Sequence, residues 1–176
     1  SGAPNGVVTA PPGTLYVDVT KNLGASIWRK DTGAGSTGWV VAEGNTGAFD
    51  ISSRLMAGLS KAAVAGQFVL TRQNAVCTLV GRLSPTNGGP LIGVPRGQRT
   101  QMVVIPPGWR PTPSYTLLGS VIISASNGPI YPVGDFATAS QIDLWFSGAA
   151  GNWASTDLVQ FRASWTTVDA WPTAAP

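Results

Sequence analysis

Histidine is absent from this 176-residue chain, and cysteine occurs once, as Cys77. A nucleophile in a Ser-His-Asp or Cys-His triad needs an imidazole base, so this chain cannot assemble such a triad by itself. Zinc and non-haem iron sites usually draw on histidine or several cysteines, and we therefore expect no metal site and no cofactor. A lone cysteine forms no internal disulfide, so it indicates no particular redox compartment.

Charged residues are also scarce, with 11 lysines and arginines, 8 aspartates and glutamates, and a formal net charge of +3. The basic residues are scattered along the chain, whereas nucleic-acid binding normally shows a basic stripe with aromatic platforms. No apolar run approaches the about 18 residues that suggest a membrane span. We therefore expect neither nucleic acid nor membrane insertion.

The chain is instead rich in apolar residues, at 43%, and in serine, threonine, asparagine and glutamine, which number 45. Its length is that of one ordinary domain, or of a small domain with an appendage. The mean hydropathy is slightly positive, and charged residues are few. This balance is typical of small all-β domains, and also of subunits that bury surface against copies of themselves.

Runs of β-branched and aromatic residues, bounded by Gly, Asn, Asp and Pro, predict an all-β fold. The predicted strands are 14–19, 26–30, 38–43, 67–72, 76–83, 101–105, 114–124, 130–133, 141–146 and 157–167. Alternation in the fifth run places Cys77, Leu79, Gly81 and Leu83 on one face. Asn127–Gly128 lies between two apolar runs and predicts a hairpin. Residues 52–58 carry the best helix signals, enough for one or two turns.

The chain is predicted to divide near residues 44–47. Residues 1–46 form an N-terminal β arm, and residues 47–176 form a head of about 130 residues, enough for an eight-stranded antiparallel β-sandwich of the jelly-roll type. Three strands alone are marginally stable, so we expect the arm to pack on something.

Residues 33–38, Gly-Ala-Gly-Ser-Thr-Gly, match the glycine pattern of a dinucleotide-binding loop. That function requires a helix after the last glycine, with its N-terminus facing the pyrophosphate. Here Trp39 begins a run typical of a strand. We therefore interpret the segment as a flexible hairpin loop.

The eight carboxylates are isolated from one another along the chain. A glycosidase needs two carboxyl groups across the scissile bond, and the chain order does not show whether any two converge. No Asp-x-Asp-x-Asp calcium loop is present. Isolated carboxylates in loops are more typical of turns and surfaces, so we expect no enzymatic activity; the pair in a hydrolase would be sought among Asp135, Asp143 and Asp157.

Seven tryptophans are a large number for this chain. We expect most of them to pack in the core, among them Trp28, Trp39 and Trp165. Trp153 differs because it lies in a loop of small residues, 147–156. Indoles stack on the apolar faces of sugar rings, while Asn and Asp side chains bind hydroxyls. The candidate ligand contacts are therefore Trp153, Asn152, Asp135, and two aromatic residues beside prolines, Tyr131 and Trp109.

Two parts of the chain resemble bacteriophage proteins. The series Ala10–Tyr16, Ile27–Lys30 and Thr32–Val40 resembles the A-P-x-G-S-L-Y, W-x-K and G-x-G-x-T-G-W module of tail-fibre and minor tail proteins, most nearly those of phages of actinobacterial hosts. Ile105–Thr112 is similar to the L-P-x-G-[FW]-R-P element in the C-terminal β-domains of such fibres. Together these matches span about residues 13–47 and 104–112.

The resemblance implies a homotrimer whose arms pack around a threefold axis, joined to other tail proteins and located in the virion tail. Its implied function is attachment to the bacterial surface through cell-wall or envelope glycan. The resemblance transfers no ligand residue. A closed trimer would bury the apolar surplus, and three weak sites would gain avidity on a repeating surface. Two alternatives stay open: a structural trimerisation cap, and a glycan hydrolase using paired aspartates.

Overall fold

The computed structural model describes residues 2–55, 59–61, 68–85, 99–111, 118–124, 130–133, 141–146 and 158–176. These residues contain twelve β-strands, all paired in antiparallel fashion, and two short 3₁₀ turns. The predicted all-β fold is confirmed. No helix among these residues has the length and apolar character to cross a membrane.

The N-terminal sheet contains three strands, β1 (Leu15–Val17), β2 (Ala25–Lys30) and β3 (Trp39–Gly44), in the order β1-β2-β3. Trp28 lies opposite Tyr16 on one neighbour and opposite Val41 on the other. This face of the sheet is covered, because Trp28 and Trp39 are buried in a small core. The core roles predicted for these two indoles are confirmed.

The glycine-rich segment 33–38 is the loop between β2 and β3, so a strand follows the last glycine and the predicted hairpin loop is confirmed. The loop is organised around a buried ammonium group. Lys30 is 1% exposed, and its Nζ donates hydrogen bonds to the carbonyls of Thr32, Gly33 and Thr37. Gly38 has a φ of +88°, and a Cβ there would lie 2.4 Å from the Thr32 carbonyl oxygen. Gly33 and Gly38 therefore allow the backbone to turn around the Lys30 ammonium group, because both have positive φ.

The remaining nine strands form two sheets. Their bounds are β4 (Phe49–Asp50), β5 (Leu59–Lys61), β6 (Phe68–Gln73), β7 (Val76–Pro85), β8 (Arg99–Val104), β9 (Leu118–Ser124), β10 (Ile130–Val133), β11 (Gln141–Phe146) and β12 (Leu158–Thr166). The six-stranded sheet has the order β4-β6-β7-β12-β9, with β5 paired to β7, and the second sheet has the order β10-β11-β8.

The main core follows from the alternation of apolar residues along these strands. On β7, Cys77, Leu79 and Leu83 are fully buried, as predicted, and Gly81 lies on the same buried face. Side chains from β6, β7 and β12 form one cluster with Val103 of β8 and Ile142 of β11. The core therefore unites residues of the six-stranded sheet with residues of the β10-β11-β8 sheet.

One local prediction is wrong, and a second is confirmed over three residues. The strands that flank Asn127–Gly128 do not form a hairpin: β9 pairs with β12, and β10 pairs with β11. Of the one or two helical turns predicted at 52–58, the structure contains one 3₁₀ turn, Ser52–Arg54, and the Ser52 N–H donates to Asp50 Oδ1. Leu55 then forms a bridge with Val103, so strand pairing ends the turn. Residues 56–58 and 125–129 lie outside the described residues.

Candidate functional site

The site begins with an arginine on an otherwise apolar strand face. On β6, Phe68, Leu70 and Arg72 alternate inward, and Arg72 is 6% exposed. Arg72 lies opposite Cys77, which lies opposite Trp165 on β12. Burial lowers the pKa of the Arg72 guanidinium, while the Cys77 and Asp169 side chains act in the opposite direction. A buried cation of this kind requires compensating partners.

The partners of Arg72 are four backbone carbonyls. Nε donates to the Asn74 carbonyl at 2.8 Å, and Nη2 donates to the Asp169 carbonyl at 3.0 Å. Nη1 donates to two carbonyls, that of Gly108 and, at 3.0 Å, that of Ala170. The guanidinium also lies 4.8 Å from the ring centroid of Trp171, a cation–π contact. One planar side chain thus joins the β6–β7 hairpin, the Pro106–Trp109 turn and the C-terminal segment.

Asp169 fastens the same turn from the other side. Its Oδ2 accepts hydrogen bonds from the backbone N–H of Gly108 at 2.9 Å and of Arg110 at 3.2 Å. Gly108 has a φ of +90°, and a Cβ there would lie 2.9 Å from the Cβ of Pro172. Residues 106–110 of the proline-rich element are therefore held against the C-terminal segment by a carboxylate and a close backbone approach.

Trp171 brings the C-terminal segment onto the N-terminal sheet. Its ring is 8% exposed and joins the small core of Trp28 and Trp39. Its Nε1 donates to the Leu23 carbonyl at 3.3 Å, and a Cβ on Gly44 would lie 2.6 Å from the ring. Contacts therefore cross the predicted boundary between residues 1–46 and 47–176, and that division stays a prediction.

A cavity of about 580 Å³ lies between these elements, and we call it the indole groove. Its apolar wall is formed by edges of three largely buried indoles, together with two valines of β3. Its polar lining comes from the N-terminal segment, from Arg72 and from the C-terminal segment. The lining residues are Ala3, Asn5, Trp28, Trp39, Val40, Val41, Arg72, Thr167–Trp171 and Thr173.

The charged side chains that line the groove are hydrogen-bonded to the backbone. Four of the five N–H groups of Arg72 donate to backbone carbonyls, and Oδ2 of Asp169 accepts from two backbone N–H groups. Asn5 and Thr173 are exposed at the groove. Within the described part of the chain, no group of three or more His, Cys, Asp or Glu could hold a metal ion. The groove thus offers an apolar wall and hydrogen-bonding groups to a small ligand.

Of the candidate contacts named from the sequence, Trp109 is the one whose side chain the structure describes, and it does not line the indole groove. Trp109 is 1% exposed, packs edge to face on Phe49 at 6.1 Å, and accepts a hydrogen bond from Trp165 Nε1 through its carbonyl. The proposed ligand contact at Trp109 is therefore corrected to a core role, which its beside-proline position did not indicate. Trp165, at 6% exposed, has the core role predicted for it.

The other candidates are only partly placed. Tyr131 belongs to β10, where it pairs with Trp145, and its side chain lies outside what the structure describes. Asn152, Trp153 and Asp135 fall outside the described residues, and so does Asp157. Asp143 lies on β11, where it pairs with Val133 of β10 and with Gln101 of β8. Ligand contacts at Trp153, Asn152, Asp135 and Tyr131 stay predictions.

Sequence reasoning missed Arg72, Asp169 and Trp171. Arg72 carried a readable signal, because it is in phase with Phe68 and Leu70 on a strand whose alternating face is apolar. Asp169 and Trp171 lie after the last strand and follow no period that points inward.

No family model, curated protein or solved structure matches the chain.

Proposed function

We propose that the chain is a non-catalytic receptor-binding module of a phage tail fibre or minor tail protein, which recognises saccharide on the bacterial surface. The observation that carries this proposal is the indole groove, with its apolar wall and polar lining. The alternative of a purely structural cap uses the same fold without a ligand, and the experiment below separates the two.

The groove has the size and chemistry that a sugar ring requires. Its volume of about 580 Å³ lies within the range of small-molecule sites, roughly 300–1,000 Å³. A pyranose presents apolar C–H faces to indole and valine, and hydroxyls to exposed polar groups such as Asn5 and Thr173. The scarcity of charge in the chain favours a neutral, hydroxyl-rich ligand over a strongly ionic one.

The phage resemblance gains support from where its two parts lie. The N-terminal series forms a sheet with its own indole core, and the proline-rich element forms the turn fastened by Arg72 and Asp169. Both contact the C-terminal segment, the sheet through Trp171 and the turn through Asp169. We further propose that the head is a jelly-roll-like sandwich, which the shared core between its two sheets supports.

We propose a homotrimer as the working assembly, with the virion tail as its location. Leu15 and Val17 on edge strand β1 are each 64% exposed, and Val19 is 77% exposed. Light scattering at micromolar concentration should therefore give three times the chain mass of 18.1 kDa. Val17→Asp should shift the mass toward one chain, because a charge on this face would be desolvated in the assembly. A monomer mass for the unsubstituted chain would overturn the trimer.

The groove is tested by filling it. Thr173→Trp places a large ring at an exposed lining position, and Ala175→Trp places the same ring at an exposed position outside the lining. Binding of fluorescently labelled protein to host cells should fall at least about tenfold for Thr173→Trp, the equivalent of about 1.4 kcal/mol. Ala175→Trp should bind like the parent chain.

The outcomes distinguish the rival functions. No binding of the parent chain to any susceptible host would favour the structural cap. Equal binding by Thr173→Trp and the parent would remove the groove, and loss on Trp153→Ala would then place the contact in the 147–156 loop. Release of reducing ends from wall material would instead favour a hydrolase, to be located by Asp→Asn substitution at Asp135, Asp143 and Asp157.

A further inference from the structure

A second depression, which we call the polar pocket, lies where β2 and β3 of the N-terminal sheet meet the β6–β7 hairpin. Its volume is about 530 Å³, and none of its residues lines the indole groove. Its side chains are polar without exception, and two glycines supply the rest of its lining. The lining residues are Lys21, Gly24, Ser26, Glu43, Gly44, Asn45, Gln73 and Asn74.

Two side-chain carboxamides in this pocket are held in place by hydrogen bonds from backbone N–H groups. Asn45 Oδ1 accepts a hydrogen bond from the Gly47 N–H, and Asn74 Oδ1 accepts one from the Gly44 N–H, both at 2.9 Å. Because each oxygen is engaged by the backbone, the NH₂ group remains as the donor for a ligand. Fixed donors lose less conformational freedom on binding than free ones do, which favours affinity.

The charges in the pocket balance. Glu43 contributes a carboxylate that can accept hydrogen bonds, and Lys21 contributes an ammonium group that can donate them. The one ion pair found among the described residues joins Arg29 to Asp31, so it involves neither of these side chains. Gln73 adds an exposed amide that both donates and accepts. A set with no net charge and both kinds of group suits a neutral ligand with several hydroxyls.

The backbone around the pocket is tightly constrained. Of the described residues other than glycine, three have positive φ: Lys21 at 49°, Leu23 at 47° and Asn74 at 53°. Two of these line the pocket, and Leu23 precedes the lining residue Gly24. A Cβ on Gly24 would lie 1.6 Å from the Asn45 carbonyl oxygen. Such backbone conformations are costly and concentrate at ligand-binding sites, where they fix the shape of the site.

We infer that the polar pocket binds a neutral pyranose through its hydroxyls. The carboxamides of Asn45 and Asn74 donate to hydroxyl oxygens, and the Glu43 carboxylate accepts from hydroxyl hydrogens. This deepens the proposed function by adding a second sugar contact to the chain. The inference rests on the proposed function in one respect: it takes the sugar to be part of the glycan on the bacterial surface. Two contacts on one chain also raise avidity on a repeating glycan.

The test is a titration of the full ¹⁵N-labelled chain, observed by NMR. The probes are methyl α-D-glucopyranoside, N-acetylglucosamine and glucuronate, each to about 100 mM, since isolated sugar contacts of about 1 mM or weaker are expected at this size. The two neutral sugars should shift the backbone signals of Gly24, Gly44 and Asn45 and the side-chain NH₂ signals of Asn45 and Asn74. Shifts with glucuronate alone would overturn the neutral class.

Glu43→Gln and Gln73→Ala should each weaken this binding at least about fivefold, because each removes a hydrogen-bonding group from the ligand. Gln160→Ala, at an exposed position of β12 outside the pocket, is the matched control and should bind like the parent chain. No shift with any neutral sugar, or shifts indifferent to both pocket variants, would overturn the inference. Cell binding that persists in these variants, but is lost in Thr173→Trp, would leave the proposed function standing while the pocket fails.

Discussion

Replacing Arg72 by methionine should lower the free energy of unfolding by about 3–5 kcal/mol, a large fraction of the stability of a single domain. The substitution keeps a long side chain but removes the donors to four backbone carbonyls, those of Asn74, Gly108, Asp169 and Ala170. Hydrogen bonds from a charged group contribute about 1.5–3 kcal/mol each, and the Gly108 carbonyl would stay buried without a replacement donor. Urea unfolding followed by tryptophan fluorescence measures the loss.

Two companion variants separate geometry from charge. Arg72→Lys retains the charge, but one ammonium cannot reach carbonyls on three segments, so we expect a loss of about 2 kcal/mol. Arg29→Met removes an arginine whose 2.9 Å pair with Asp31 is about half exposed, and should cost less than about 0.5 kcal/mol. Protein concentration must be equal throughout, because self-association raises apparent stability. Arg72→Met within about 1 kcal/mol of the parent would contradict the structural role.

The strands were readable from the sequence because burial on one face imposes a period of two. On β7 the alternation identified the buried face, and the structure places Cys77, Leu79 and Leu83 fully inside. The same reasoning located the loop after Lys30, since Trp39 begins a strand and not a helix. Local pattern therefore reports which residues turn inward and where strands begin.

Strand partners were not readable in the same way. Asn127–Gly128 is a strong local hairpin signal, yet β9 pairs with β12 and β10 pairs with β11. Pairing is decided by the apolar surface that distant strands offer, and a turn signal contains no information about that surface. The helix signal at Ser52–Arg54 gives a single 3₁₀ turn, which ends where Leu55 forms a bridge with Val103, a distant partner that the local sequence does not identify.

The candidate site shows how chemistry and position can separate. Trp109 was singled out by its proline neighbours, but the Gly108 turn directs its ring into the core. Arg72 looked like an ordinary strand residue, although its phase with Leu70 points inward. Asp169 acts on a turn 59 to 61 residues away in the chain, a relation that only the folded backbone creates.

The two stretches on which the proposed likeness to phage fibres rests contact the same C-terminal segment. Trp171 packs against the indoles of the N-terminal sheet. Asp169, two residues earlier, accepts a hydrogen bond from the proline-rich turn. Arg72 contacts both parts of this C-terminal segment. The sheet and the turn thus both contact one short segment, and the groove lies between that segment and the N-terminal sheet.

Cys77 should react with a thiol reagent at pH 8 about a thousandfold more slowly in the folded chain than in denaturant. Burial raises the pKa of its thiol from an ordinary value of 9.0 to about 12; Arg72 opposes this shift and Asp169 adds to it. Only the thiolate reacts, so its fraction at pH 8 falls by about three powers of ten. The reaction is followed by absorbance in the absence and presence of urea.

The matched control moves the thiol by one residue. Cys77→Ala combined with Val76→Cys places it on the opposite face of β7, where Val76 is 47% exposed, and it should react almost as fast as in denaturant. Fast labelling of native Cys77 would show that the inner face opens, and would contradict the buried row formed with Arg72 and Trp165.

The same pKa shift has a consequence for stability with a definite sign. Below pH 9 the thiol is protonated in both the folded and the unfolded chain, so it adds no pH dependence. Above pH 9 the unfolded chain releases the proton, while the folded chain retains it up to about pH 12. The free energy of unfolding should therefore fall with rising pH, by up to about 1.4 kcal/mol per pH unit. Comparison with Cys77→Ala isolates this effect from the other groups that titrate there, and a difference between the two proteins that stays constant from pH 8 to pH 10.5 would refute it.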